Sequence, residues 1–393
     1  MGMSSGVRDT TNLSARKYDM KDVISLLDVK RYPMLAILTN AGKDPVSKEG
    51  KAIKKQETTD PEFKWFEDEF GSREASTASG NTGKNIASTP SVSVASGQGV
   101  RFAIGDIIQF VAGKYTFEVT AISTDTLTLS NELGGATGTV DLSSLVVWII
   151  GNANAEGGTL REIKGTTPVE KVGYTQIFRT PFGTTNTSKE TVTLIKENDL
   201  SFQRRKKGIE HMIDIERAFW FGKKSKRTAS GNGKPIRTTE GVINVISTYA
   251  TANVDTEAEW EAWLEDVFAH GNVEKYAFCS PAIISMINSF AASKVQIVQS
   301  EKTYGIKIIK YESAHGTLNL IRHELFTGTP YGNYAVALDL EVAMYRYLSQ
   351  RDTKLLTDRQ ANDADESIEE YLTECGLHLE QEKRHAICSF AGL

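Results

Sequence analysis

The chain has 393 residues, 40% of them hydrophobic and 24% charged, with a net charge of −5. Such a balance suits two or three folded domains and excludes a uniformly basic nucleic-acid coat. No apolar run approaches the roughly 20 residues that span a bilayer.

The opening residues, MGMSSGVRDTTNLSARKYD, lack the apolar core of a secretory signal, and Met3 argues against a myristoylation start at Met1-Gly2. Three widely spaced cysteines, an odd number, make no disulfide framework and point to a reducing cytoplasm. The first helical pattern is DMKDVISLLD, with Asp19 as cap and Val23, Leu26 and Leu27 on one side. It is too small to fold alone. A polar, lysine-bearing stretch leads into PEFKWFEDEFGSRE, where Phe63, Trp65, Phe66 and Phe70 among charged residues give a strand signal. The Ser/Gly/Thr-rich STASGNTGKNIASTPSVSVASGQG reads as a loop or linker.

From about residue 98 to 150 the composition turns β-branched. Tyr115, Phe117 and Val119, then Leu127 and Leu129, alternate with polar residues between turns. A small inserted β-barrel or sandwich is expected. Extended structure resumes through KVGYTQIFRTPFGTTNTS, followed by the helix DLSFQRRKKGIEHMIDIERAFWFG. Its Ile209, Met212, Ile213, Ile215, Phe219 and Trp220 cover about 160° of a helical wheel. Glu216 falls near the middle of that arc, where a carboxylate needs a partner or an interface unless it is partly exposed.

Mixed α/β structure follows from Gly241. A helix runs from a Thr256 cap to a Gly271 stop, a strand covers VEKYAFCS, and a second helix opens at Pro281. Four further strand patterns lead to SIEEYLTECGLHLEQEKRHAICSFAGL, read as a β-hairpin turning near Glu382. No internal repeat is present.

Chemical motifs are few. The Gly-Lys pairs in SGNTGKN (79–85) and SGNGKP (230–235) lack the upstream glycine of a P-loop, holding Ala78 and Thr228 there, and Asn85 and Pro235 replace its Ser/Thr. Cys375, His378, His385 and Cys388 resemble zinc ligands. In a hairpin, however, the cysteine pair and the histidine pair would point to opposite faces. Among Asp358, Asp363, Asp365 and Glu366, counting Asp358 as the first EF-hand position puts Asp363 where the sixth-position glycine belongs, so they read as a solvated loop or, less well, a loose divalent-ion site. His211 reads as an exposed or packed residue rather than a base. No catalytic, cofactor-binding or metal residue is assigned, and no cofactor is expected. The clusters Arg204–Lys207 and Lys223–Arg227 read as solvated helix ends or intersubunit ion pairs that could also meet phosphates.

The arm, the excursion "DPEFKWFEDEF" out and "KVGYTQIFRTPFGTT" back, the long helix, the α/β region opened by "IRTTEGVINVI" and the closing segment together resemble major capsid proteins of tailed double-stranded DNA bacteriophages. These are of the Hong Kong 97 type, in a subfamily with a small β-domain insertion. The resemblance implies an α+β fold divided as follows. Residues 1–40 form an N-terminal arm reaching onto a neighbour. Residues 41–96 and 153–190 form the extended loop and its return strands. Residues 97–152 form an inserted small β-barrel displayed outward. Residues 191–235 and 346–393 form a peripheral domain with a spine helix at 199–222. Residues 236–345 form an axial domain at capsomer centres.

It further implies a non-enzymatic major head protein that assembles in the host cytoplasm into an icosahedral or prolate virion shell. Its partners would be copies of itself in hexameric and pentameric capsomers, packaged double-stranded DNA through weak nonspecific contact, and portal, scaffold or decoration proteins, with no membrane. The alternative from a binding class is a phage adhesin or carbohydrate-binding structural protein, with Tyr115, Phe117 and Trp148 of the insert either as ligand face or as barrel core. An enzyme using a metal on the Asp358–Glu366 loop is the third and weakest reading.

Overall fold

A computed structural model describes residues 32–39, 54–157, 160–191, 199–231, 233–291, 302–303, 306–328 and 331–390. The expected helix at 19–28 lies outside them. Two compact units emerge: Phe66–Glu170, and the residues on either side of it.

The Phe66–Glu170 unit is a six-stranded sheet in which strand Glu74–Ser76 is followed in space by Val146–Asn152, Asp106–Phe110, Thr116–Ser123, Thr126–Leu129 and Ser91–Ser93. Its first and last strands meet where Ala95 N–H donates to Ser76 O (2.7 Å) and Ala78 N–H donates to Ser93 O (2.8 Å). The sheet thus closes on itself, leaving no free edge there. Ile108, Phe110, Phe117, Val119, Leu127 and Leu129 point inward at every second position and fill it. This unit is wider than the expected 97–152. The stretch read as a linker, residues 76–99, supplies the strand Ser91–Ser93, the end of strand Glu74–Ser76 and the core residues Ile86, Val92 and Val94. The serines disguised a strict alternation: in Ser91-Val92-Ser93-Val94 the valines face the core.

The flanking unit holds two larger sheets around the long helix Asp199–Phe221. In the five-stranded sheet, Glu366–Leu379 runs antiparallel to Gln176–Thr185 over ten paired positions. On its other edge it pairs with Ala343–Leu348 and Lys354–Leu356. Lys54–Thr58 adds in parallel beyond Ala343–Leu348. The seven-stranded sheet centres on Glu274–Cys279, flanked by Thr317–Arg322 and Tyr334–Leu338. Tyr276 and Phe278 of that central strand enter the core shared with the long helix, whereas Ala277 and Cys279 enter a second core. A strand covered on both faces is continuously apolar.

The second core is closed by helix Glu257–Phe268, which buries Trp260, Trp263, Leu264 and Val267. A Thr256–Glu259 capping box starts that helix as expected: Thr256 Oγ1 accepts from Glu259 N–H (3.3 Å) and Glu259 Oε2 from Thr256 N–H (2.9 Å). Helix Pro281–Ala291 opens at its proline.

Two expectations are corrected here. The C-terminal strands make no hairpin. Glu366–Leu379 belongs to the five-stranded sheet, but after the turn at Glu382–Arg384 strand Ala386–Ser389 pairs with Tyr334–Leu338 and Ala250–Thr251 in the other sheet. The end of the chain therefore leaves the expected 346–393 grouping. Part of the expected arm is also intramolecular. Helix Pro33–Thr39 buries Met34, Leu35, Ile37 and Leu38 in the same core as the long helix, because an apolar turn of that density needs burial that the charged stretch after it does not offer. No helix among the described residues is long and apolar enough to cross a membrane.

Candidate functional site

The chemistry-bearing residues singled out in the sequence are dispersed. Asn81, inside the first Gly-Lys motif, clamps a barrel strand: its Nδ2 donates to Ala78 O (2.8 Å) and Ser93 O (2.7 Å), and its Oδ1 accepts from Ser93 N–H (2.9 Å). The second motif is the tip of an exposed hairpin, Ser225–Thr228 with Pro235–Thr238. Cys375 and His378 lie in one sheet and Cys388 in the other, so no common site joins them.

His378 packs against the ring of Trp65 (4.2 Å between centroids) and accepts from Arg346 Nε (3.1 Å) on Nδ1. His385 accepts from Asp339 N–H on Nδ1 (3.2 Å) and donates from Nε2 to Glu380 O (3.2 Å). His211 is fully buried and bridges Thr180 (2.8 Å) and Thr373 (2.7 Å) on two neighbouring strands. Among the described residues, no three His, Cys, Asp or Glu side chains converge as a metal site. In the acidic loop, Asp365 accepts from the Asn186 side chain (2.6 Å).

The polar centre of the molecule is Glu216. The helical wheel places it among apolar residues, and it is completely buried. Its Oε1 accepts from Met34 N–H (3.0 Å), Trp220 Nε1–H (3.0 Å) and His323 Nε2 (2.8 Å), and its Oε2 accepts from Leu35 N–H (2.7 Å). His323 Nδ1 accepts from Leu325 N–H (3.2 Å), which puts the imidazole proton on Nε2. One carboxylate thus ties the helix Pro33–Thr39 to the long helix and to the loop after strand Thr317–Arg322. Trp220 meets Phe278 (5.0 Å), His323 (5.2 Å) and Phe326 (4.9 Å) edge-on, while Phe219 turns to Tyr345 of the other sheet. The helix is a beam that carries both sheets. Its partner His323 left no sequence signal, because the contact spans 107 residues.

Strand Glu366–Leu379 carries a row of buried carboxylates matched by arginines. Glu369 takes a two-pronged contact from Arg204 of the long helix (2.6 Å for its Nε arm). Glu370 takes another from Arg179 (2.8 Å for its Nη2 arm), and Arg351 Nε reaches Glu374 (2.6 Å). The Arg179 guanidinium beside Glu370 holds its carboxyl below the usual range. Lys275, missed in the sequence reading, is buried too. Its Nζ donates to Val267 O (2.6 Å), His270 O (2.7 Å) and Arg384 O (2.7 Å), satisfying carbonyls at the end of helix Glu257–Phe268, and burial pushes it down to about 8. These are structural networks, each with a closed set of partners.

What the chain leaves unsatisfied is apolar surface on its extended stretches. Phe66 (69% exposed) and Phe70 (103%) lead into the barrel, and Leu160 (88%) and Ile163 (86%) follow it. Arg161 pairs with Asp106, and Lys164 donates to the carbonyls of Val100 (3.1 Å) and Phe102, so the return stretch is strapped to the barrel with its apolar side chains outward. Of the insert aromatics, Phe117 is core, Tyr115 packs against it, and Trp148 is half exposed.

The major capsid protein of Pseudomonas phage PaMx41 is 23% identical over 245 residues, covering 58% of this chain and 58% of that protein. The chain thus spans less than two thirds of that relative. Among solved structures, one from Microbacterium phage Oxtober96 is 9% identical with a TM-score of 0.46 and covers 96% of each chain. The capsid of Myoviridae phage XM1 is 10% identical with a TM-score of 0.41, covering 61% of this chain and 81% of that one. The adhesin alternative finds no support in these matches. A family model, that of the SU10 major capsid protein, matches residues 5–391, and the chain belongs to that family.

Proposed function

We propose that this protein is the major head protein of a tailed phage, the repeated wall unit of an icosahedral or prolate shell around double-stranded DNA. Its partners are first of all other copies of itself, in hexameric and pentameric capsomers, with assembly in the bacterial cytoplasm. Contacts to portal, scaffold or decoration proteins belong to the same reading, and DNA contact is weak and nonspecific.

The observation that carries this is the row of exposed apolar side chains, Phe66, Phe70, Leu160 and Ile163, on stretches beside a barrel whose own core is already full. Each such group gains roughly 25 cal/mol per Å² on burial, and a neighbouring copy offers that burial. The five-stranded sheet with the long helix would form the peripheral body. The seven-stranded sheet with helices Glu257–Phe268 and Pro281–Ala291 would form the axial body, and the barrel would face outward.

Purified protein examined by size-exclusion chromatography and negative-stain electron microscopy tests this directly. Rings and closed shells are expected. Monomers at every concentration and salt condition, with native secondary structure, would refute the reading.

A further inference from the structure

The hairpin Ser225–Thr228/Pro235–Thr238 carries more positive charge than its own chain neutralises. Every residue of Ser225–Thr228 is exposed. Lys226 stands directly opposite Arg237 in the ladder, a like-charge pair that weakens a two-stranded ribbon. Lys224 pairs with Glu240 (2.9 Å) and Lys226 with Glu62 (3.2 Å). Among the described residues, Lys223 and Arg227 have no ion pair, and the buried Nε of Arg237 has no acceptor. Ile236, opposite Arg227, is 39% exposed. Apolar surface set among cations suits a protein partner better than a phosphate backbone.

The complementary surface is on the same chain, at another place. Helix Glu257–Phe268 buries its tryptophans and turns Glu257, Glu261 and Glu265 to solvent at four-residue steps, a spacing at which like charges repel. Exposed Ala258 and Ala262 lie beside them, so a second backbone can approach closely. The stripe spans about 12 Å. Lys223, two residues before strand Ser225–Thr228, and Arg227 within it lie four residues apart and span at most on the order of 13 Å.

We infer that the cationic hairpin of one copy docks on the Glu257–Glu261–Glu265 face of the next copy, a head-to-tail contact that closes subunits into a ring. The inference rests on the shell reading above. Because each copy carries both surfaces, the contact is heterologous and repeats around a rotation axis.

Charge exchange tests it. Lys223→Glu with Arg227→Glu, and separately Glu261→Lys with Glu265→Lys, are expected to lower the yield of sedimenting particles by about tenfold or more. The chain carrying all four changes is expected to recover to within about twofold of native yield. Raised salt is expected to weaken native assembly, a readout that needs no variant. A fourfold variant as defective as either pair, or either pair assembling like native protein, overturns the contact. Normal shells that merely lose DNA retention when the hairpin is reversed overturn it in favour of nucleic acid. Native protein that forms no particles at all overturns the shell reading itself, which separates the two failures.

Discussion

Glu216 is a buried carboxylate facing four N–H donors and no guanidinium or ammonium group. Such a site is stable only while the acceptor is complete, since each abandoned donor costs about 1–3 kcal/mol. Glu216→Gln turns an amide N–H₂ toward donors and is expected to lower stability by about 2–4 kcal/mol. Urea unfolding with amide exchange at Met34–Leu38 checks this, and an unchanged midpoint would contradict it. The need for a partner was visible in the helical wheel, but the partners were not.

The histidines carry a pH consequence at the same scale. Burial, with the neighbouring Arg346 charge, depresses His378 from 6.5 to about 4, and burial depresses His385 to about 3, while burial also lowers His211. Groups depressed in the folded state contribute stability that is complete above 6.5 and is lost as pH falls through about 4 and then about 3. The two larger shifts are worth roughly 3 to 5 kcal/mol each at about 1.4 kcal/mol per pH unit. Denaturant titrations between about pH 7 and about pH 3 should show a steep acid loss, flattened in His385→Gln; equal slopes would contradict it.

The elements divide by how local their determinants are. The barrel's main strands and the long helix were legible because their periods of two and about 3.6 are written in neighbouring residues. The Ser91–Ser93 strand was not, since short serine-rich runs resemble linkers. Its place depends on closure through bonds to Ser76 and Ala78.

One glycine controls that closed sheet. A Cβ on Gly99 would sit 1.8 Å from Thr124 O and 2.9 Å from Asp125 Cα, while Gly99 N–H already donates to Asp125 (2.9 Å). Gly99→Ala must push backbone away from backbone and is expected to cost about 3 kcal/mol, confined to the barrel. Proteolysis within residues 74–152 should rise while the long helix stays protected; uniform protection would show that the turn yields freely.

At the scale of the whole molecule, stability within the chain and affinity between chains are separable. Phe66 and Phe70 contribute little to their own unit's core, being exposed. Phe66→Ser with Phe70→Ser is expected to change unfolding free energy by no more than about 0.5 kcal/mol and yet to abolish particles in the electron microscope. Parallel denaturation and imaging check both halves, and intact particles would remove these residues from the interface.

By itself the sequence determined the element types, the inserted β domain, the beam-like helix and the resemblance to phage capsid proteins, because periodicity and segment order are local or ordered properties of the chain. Only the tertiary structure decided that Glu216 meets His323 and the backbone of Met34 and Leu35. It alone showed that the final strand crosses to the other sheet and that a charged row on Glu366–Leu379 is met by Arg179, Arg204 and Arg351. Pairing partners far apart in sequence are selected by competition among many similar strands and charges, and that competition is resolved only when the core closes.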